Sequence, residues 1–346
     1  MPSGSANPVL VTVTRSGRVE SEHRGALVVW HAGERLLALG DVDRPVFARS
    51  ATKPLQALPL LERGLDRRFG LESRHVAVLC ASHAGSPVHV AAVREVLARC
   101  GLAEDQLGCG PHAPFDERAR RELFARGERP LRIHNNCSGK HAGFLALAAA
   151  CGDDPARYLD PESAAQLEVR AAVQAMAGLS EPPWTGLDGC GAPTFWLPLT
   201  RLAQAFAALA NPEAHAPVRG AACRTILDAA AAAPALLEGD GMLCTELVAA
   251  LPGRRFAKNG AEGVYAVALG ADPARSRCPG PVGIAVKIDD GAQRAYPPVV
   301  VETLHWLGAF GDRPLGEALQ AFRRTPVRNT QNKVVGEVSC VVEFGR

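Results

Sequence analysis

The sequence predicts an α+β fold, an antiparallel sheet built from N-terminal and C-terminal strands and flanked by helices, with a long helical region inserted between the two sets of strands. Three observations predict it. Short β-like runs punctuated by glycine and aspartate fill residues 8–49, apolar residues recur at helical spacing from Ser50 to about Pro252, and strand-like runs return over 254–346. Strands at both ends with helices between them make one sheet with a helical region beside it. At 346 residues, 47% hydrophobic and 21% charged, the chain buries a large core, and residues 8–346 are read as a single domain.

Taken in order, Val9 to Thr14, Ala26 to His31 and Leu36 to Leu39 form an antiparallel opening, and Pro45-Val46-Phe47-Ala48 ends an extended segment. Leu55, Leu58, Leu60 and Leu61 then follow a helical period until Gly64 stops it. Pro54 is tolerated only where backbone N–H groups lack helical partners, so this helix starts close to Ser50 and sets that residue at the positive end of the helix dipole. Further helices are predicted at Val88 to Arg99, Asp116 to Arg126, His141 to Ala150, Glu162 to Ala177, Leu197 to Ala210, Val218 to Ala233 and Met242 to Ala250, most closed by Gly or Pro. Val264 to Leu269 and Val282 to Ile288 read as a hairpin. Helices near Val299 to Phe310 and Pro314 to Arg323 and a last strand from Val334 to Phe344 complete the chain.

The net charge of +2 gives no electrostatic footprint for nucleic acid. The longest apolar run, near Leu145 to Cys151, is too short to span a bilayer, and Met1 to Val9 lacks the apolar stretch of a signal peptide, so we expect no membrane association and a cytoplasmic location. The ten cysteines are then expected as reduced thiols, most of them buried as small hydrophobes. No Cys-x-x-Cys pair occurs, which argues against a zinc finger and a dithiol redox motif.

The first motif that carries chemistry is Ser50-Ala51-Thr52-Lys53, since Ser-x-x-Lys at a helix start sets a hydroxyl and an amine on one face. A serine is a weak nucleophile at neutral pH, and an amine held beside it can take its proton, so the spacing encodes acyl transfer without a catalytic histidine. The second is the polar run from His134 to Gly143, with five polar or thiol side chains in sequence before Gly139, and an elaborate helix cap as the bland alternative. Gly139-Lys140 is not a phosphate loop, because His134 and His141 stand where the motif needs Gly and Ser or Thr. The third is Leu187-Asp188-Gly189-Cys190-Gly191-Ala192-Pro193-Thr194, read as a tight turn before a helix near Leu197; Thr194 replaces the third glycine of a dinucleotide fingerprint. Cys137 and Cys190 either ligate a soft metal or fill space. In Phe256-Ala257-Lys258-Asn259-Gly260 a lysine stands at a strand edge, in the chain order of the Lys-Thr-Gly element that faces the nucleophile in other Ser-x-x-Lys enzymes. Ser86-Pro87 already caps the next helix, which leaves Ser82, beside His83, free for other work.

Together, Arg-Ser-x-x-Lys-Pro-Leu-Gln, Ser-His-Ala-Gly, Asn-Asn-Cys-Ser-Gly-Lys-His-Ala-Gly, Asp-Gly-Cys-Gly-Ala-Pro and Lys-Asn-Gly resemble the rhizobial-type (class 3) L-asparaginases, the asparaginase II family, from about residue 8 to the C-terminus. The resemblance implies a single catalytic domain with a fold similar to serine β-lactamases and serine-dependent glutaminases. It implies two Ser-Lys pairs around one pocket, Ser50 with Lys53 and Ser82 with Lys258, and hydrolysis of L-asparagine to L-aspartate and ammonia. Arg49, His83, Asn136, Asp188, Gly189 and Asn259 are the positions it puts on the substrate side. It also implies a zinc ion held by Cys137, Lys140 and Cys190 with Asp188 nearby, and a homodimer. Either Ser50 or Ser82 could be the residue attacked, with the N–H of the nucleophile itself as an oxyanion donor.

Two other functions stay open on sequence alone. One is another serine acyl hydrolase on the same scaffold, above all a glutaminase, whose substrate differs by one methylene. The other is a zinc- or amino-acid-binding protein without turnover. His83, His134 and His141 are further site candidates, each equally readable as a structural hydrogen-bonding histidine.

Overall fold

The computed structural model describes residues 6–275 and 277–345. Strands β1 (Val9–Arg15), β2 (Arg18–His31), β3 (Glu34–Leu39) and β4 (Pro45–Phe47) open the chain, β5 (Trp184–Leu187) and β6 (Pro193–Pro198) lie among the helices, and β7 (Arg255–Gly260), β8 (Val264–Leu269), β9 (Val282–Ile288), β10 (Arg324–Arg328) and β11 (Val334–Cys340) follow them. The chain groups into two units, one made of the described residues of Met1–Ala51, Leu197–Ala210 and Ala250–Arg346, the other of Thr52–Trp196 and Asn211–Ala249.

The first unit holds the antiparallel sheet of both termini that the sequence predicts, in the order β10-β11-β1-β2-β9-β8-β7 with β3 also paired to β2. Its organiser is β2, more than twice the expected length. The first half of β2 pairs with β1 and the second, from Gly25 to His31, with β9. Gly25 stands at the changeover, where a Cβ would lie 2.3 Å from the Lys287 carbonyl oxygen, so only glycine lets the strand pass.

Pairing register explains how β8 and β9 are buried on both faces. Tyr265 lies opposite Val286 and Val267 opposite Ile284, a bulky face whose Tyr265 ring meets Tyr296 of the helix Tyr296–Trp306 at 4.9 Å. Ala266 opposite Ala285 and Ala268 opposite Gly283 make a face of small residues. On Gly283 a Cβ would sit 1.8 Å from the Ala203 carbonyl oxygen, so the helix Leu199–Leu209 rests directly on this face. Lys258 pairs with Ala266 and therefore shares the small-residue face, whereas Asn259 pairs with Tyr265 and takes the other.

The second unit is helical around the helix Ser138–Cys151, whose residues Ser138 to Ala148 are all buried. A helix apolar all round has to be enclosed on every side. Here the helices Leu58–Glu62, Ser73–Leu79, Pro87–Arg99 and Ala164–Met176 surround it. No helix among the described residues is long and apolar enough to cross a membrane.

Several sequence expectations need correction. The helix expected from Ser50 to Gly64 is a 3-10 turn, Arg49–Thr52, followed by two short helices, Lys53–Gln56 and Leu58–Glu62, with prolines at both starts. Segments of four and five residues carry little macrodipole, so that argument for Ser50 falls away. The helix Ser73–Leu79 escaped notice because Glu72 and His75, rather than Ser or Thr, form its capping box. The turn at Asp188 closes a hairpin, β5 with β6, where a turn into a helix was expected. At the C-terminus the last strand ends at Cys340, and β10, which lacks consecutive apolar residues, was missed.

Candidate active site

Backbone contacts assemble the site in the second unit. A Cβ on Gly139 would lie 2.1 Å from the Val78 carbonyl oxygen, so this glycine allows the helix Ser138–Cys151 to touch the end of Ser73–Leu79. The chain leaving Val78 is thereby laid against the chain entering the helix, and His83 N donates to Asn136 O at 3.2 Å. On its other side the same segment is tied by Ser82 N to Leu237 O at 3.1 Å and Ala84 N to Glu238 O at 2.7 Å. Ser82 and His83 are thus held between two anchored strips of backbone.

Lys53 is fully buried in the short helix behind them. Its Nζ donates to Ala81 O at 2.6 Å, lies 3.4 Å from Asn136 O and contacts Ser82 Oγ at 3.0 Å. Both carbonyls can only accept, so they take two amine hydrogens. Ser82 Oγ lies within reach of the same nitrogen, the placement an amine needs to take a hydroxyl proton. The Ser82 hydroxyl is thus a partner of Lys53 that the spacing along the chain does not show.

Around this pair the polar run from His134 is folded into the protein. His83 Nε2 lies 2.9 Å from Ser138 Oγ, Ser138 Oγ donates to Ile133 O at 2.9 Å, and Gly85 N donates to His83 Nδ1 at 3.1 Å. Burial pushes the His83 pKa well below that of an ordinary histidine, with His89, Lys53 and His134 adding positive repulsion. His141 is lowered likewise, by burial and then Lys140 and Lys53, and its Nδ1 meets the Tyr158 hydroxyl at 2.6 Å. Tyr158 and Ser138 are the site residues that sequence reasoning passed over, the first for want of any motif and the second because it read as a cap.

The two thiols and the amine at Cys137, Lys140 and Cys190 also converge. All three are buried, Lys140 Nζ lies 3.2 Å from Cys190 Sγ, and the two sulfurs are hydrogen-bonded to each other. That bond lowers the Cys137 pKa and raises that of Cys190. Burial pulls the Lys140 pKa down, but Cys190, Cys137 and Asp188 outweigh it and the value is raised. Among the described residues no three His, Cys, Asp or Glu side chains gather for a metal, so a site here depends on Lys140 as a third donor beside two sulfurs. Two thiolates and a nitrogen suit zinc. Asp188 and Gly189 sit in the loop of the β5–β6 hairpin, where Asp188 Oδ1 accepts from Gly189 N at 2.7 Å, and Asn136 keeps its side-chain amide 3.4 Å from the Cys137 sulfur.

The remaining predicted residues belong to the first unit. Arg49 precedes Ser50 in the 3-10 turn with φ of +49°, a left-handed conformation that costs about 1 kcal/mol or more for a residue with a Cβ. Gly260 packs beside this turn, since its Cβ position is 3.0 Å from Ala48 O. Lys258 is fully buried on β7, and its Nζ donates to Asn259 O at 2.8 Å and to Asn259 Oδ1. One unit therefore gathers Arg49, Ser50, Lys258 and Asn259, and the other gathers Lys53, Ser82, His83, Asn136, Cys137, Lys140, Asp188, Gly189 and Cys190.

The model of the L-asparaginase II family matches residues 11–340. No curated protein matches the chain.

Proposed function

The chain belongs to the L-asparaginase II family, a family of asparaginases that implies L-asparagine as substrate, and we propose that it hydrolyses the side-chain amide to L-aspartate and ammonia through Lys53 and Ser82. The contact of Lys53 Nζ with Ser82 Oγ, beside the Ala81 and Asn136 carbonyls, carries the reading. Lys53 takes the hydroxyl proton as Ser82 Oγ attacks the amide carbon. The ammonium so formed stays beside the reacting atoms and offsets the negative charge of the tetrahedral intermediate. The same proton passes to the departing nitrogen, ammonia leaves, and water, deprotonated in turn by Lys53, releases aspartate from the ester. The N–H groups of Ser82, His83 and Ala84 are bonded to Asn136, Leu237 and Glu238 carbonyls, so the oxyanion donor expected from the nucleophile's own N–H does not apply to Ser82. That observation favours a second assignment, in which Ser50 attacks and Ser82 relays the proton to Lys53.

Zinc belongs to the same proposal, with Cys137, Lys140 and Cys190 as its donors. Bound there it would supply a fixed positive charge that orders the chain entering the helix Ser138–Cys151. The likeness to serine β-lactamases and glutaminases, the homodimer, and the roles of Arg49, Lys258 and Asn259 toward substrate are supported by the family resemblance.

The test is ammonia release from L-asparagine and L-glutamine by wild type, Ser82→Ala and Ser50→Ala, with the labelled serine mapped after treatment with an electrophilic asparagine analogue. Label on Ser82 and loss of turnover in Ser82→Ala support the first assignment, and label on Ser50 the second. Wild type that releases no ammonia from either amide sinks the amidohydrolase reading, and glutamine preferred over asparagine corrects the substrate.

A further inference from the structure

We infer that His83 is a positioning residue, a neutral imidazole in the Nε2–H form that clamps the segment bearing Ser82 to the first turn of the helix bearing Lys140. The inference rests on the reading of Lys53 and Ser82 given above. Its ground is the direction of each hydrogen bond. Gly85 N–H can only donate, so His83 Nδ1 accepts and carries no hydrogen. Nε2 then bears the ring hydrogen and donates it to Ser138 Oγ, which is free to accept because its own hydrogen goes to Ile133 O. Each polar atom of the chain Gly85, His83, Ser138, Ile133 has one role, and none can be reversed. An imidazolium, or the other tautomer, would turn an Nδ1–H against the Gly85 N–H.

The same residue makes a second tie through its backbone. His83 N donates to Asn136 O, the carbonyl that also faces Lys53 Nζ. Ring and main chain of His83 therefore grip residues 136 and 138 while the residue before it presents the hydroxyl to Lys53. A neighbour braces the ring. His89 stacks on it with centroids 5.2 Å apart and planes 15° apart, and His89 is oriented in turn, with Nε2–H donating to Ala235 O and Nδ1 accepting from Ser86 Oγ. Burial and the nearby His89, Lys53 and His134 hold His83 neutral, as the bonding pattern requires. With both nitrogens committed inside the protein, His83 acts on the reaction through Ser82, Asn136 and Ser138. The sequence reading had put it against the substrate.

Such a clamp should govern kcat more than substrate binding, because it fixes the reacting groups. We expect Ser138→Ala to lower kcat about tenfold to hundredfold, the effect of misplacing a catalytic group by a fraction of an ångström to an ångström. KM should stay within about threefold. The double variant His83→Gln/Ser138→Ala should lose no more than the worse single variant, since both break one chain of bonds. Wild-type protein labelled with 15N-histidine should give a His83 ring with hydrogen on Nε2 and a bare Nδ1. Wild-type kcat in Ser138→Ala, multiplicative losses in the double variant, or an Nδ1–H signal would each overturn the inference. If His83→Gln fails to fold, Ser138→Ala and the wild-type spectrum still decide. The spectrum needs no turnover, so an inactive wild type would sink the asparaginase reading while the tautomer is read independently.

Discussion

Lys53 and Lys140 are both buried and line one small cavity of ≈ 10 Å³ together with Gln56 and apolar residues of three helices, yet their nearest partners differ. The Lys53 amine faces two carbonyl oxygens and the Ser82 hydroxyl, and it also interacts with the Cys137 sulfur. The Lys140 amine faces a sulfur at 3.2 Å, with Cys137 and Asp188 close enough to raise its pKa against the effect of burial. Burial alone thus does not give a lysine its role. Lys53 has the Ser82 hydroxyl within reach for proton exchange, whereas Lys140 lies against the Cys190 sulfur, with Cys190, Cys137 and Asp188 favouring its charged form.

If that contrast is right, removing each amine breaks a different property. Lys53→Met keeps the apolar stem and takes away the base, so asparagine turnover should fall by about a thousandfold, within the range of a lost general base, with metal content unchanged. Turnover is read by ammonia release and metal by elemental analysis. A Lys53→Met protein that loses its metal as well would merge the two regions into one. Lys140→Met should do the reverse, giving a folded protein that has lost zinc and about tenfold to hundredfold in turnover. Full zinc content in that variant would remove Lys140 from the donor set.

The smallest expected effect is on stability. His83 and His89 both have pKa values lowered in the folded protein, chiefly by burial, so the unfolded chain binds protons first as pH falls. Their contribution is complete above about pH 6.5 and is lost below it, at about 1.4 kcal/mol per pH unit for each proton bound only by the unfolded state. Urea midpoints measured from pH 7 to pH 5 should trace this slope, and His89→Gln should make it shallower. Since Lys53 is among the causes that lower His83, Lys53→Met should flatten the slope slightly too. A slope that both variants leave unchanged would assign the acid sensitivity to other groups.

The legible parts of the molecule were those written in local pattern. Val264 to Leu269 and Val282 to Ile288 match β8 and β9 end to end, since both are unbroken apolar runs bounded by turn residues. The polar run from Asn135 to His141 stood out for the converse reason, as polar groups that need partners if buried. The region after Ser50 was misread because Leu55, Leu58, Leu60 and Leu61 satisfy a helical period whether or not Pro54 and Pro59 break the helix into turns. For the hairpin at Trp184 the reason is different, because four residues are too few to register alternation.

By itself the sequence determined which groups the protein owns: the serines and lysines, the thiols, the glycines that permit close contact, and the strand-helix-strand order that brings the two termini into one sheet. Their motifs identified the family, because residue type and spacing are local properties. Only the tertiary structure decided partnership. Lys53 touches the hydroxyl of Ser82, 29 residues away, a contact that no local spacing states. That choice depends on Gly139 letting one helix end rest on another, and on the carbonyls of Ala81 and Asn136 converging on one amine. Spacing along a chain states what can be near, and packing among distant segments settles what is.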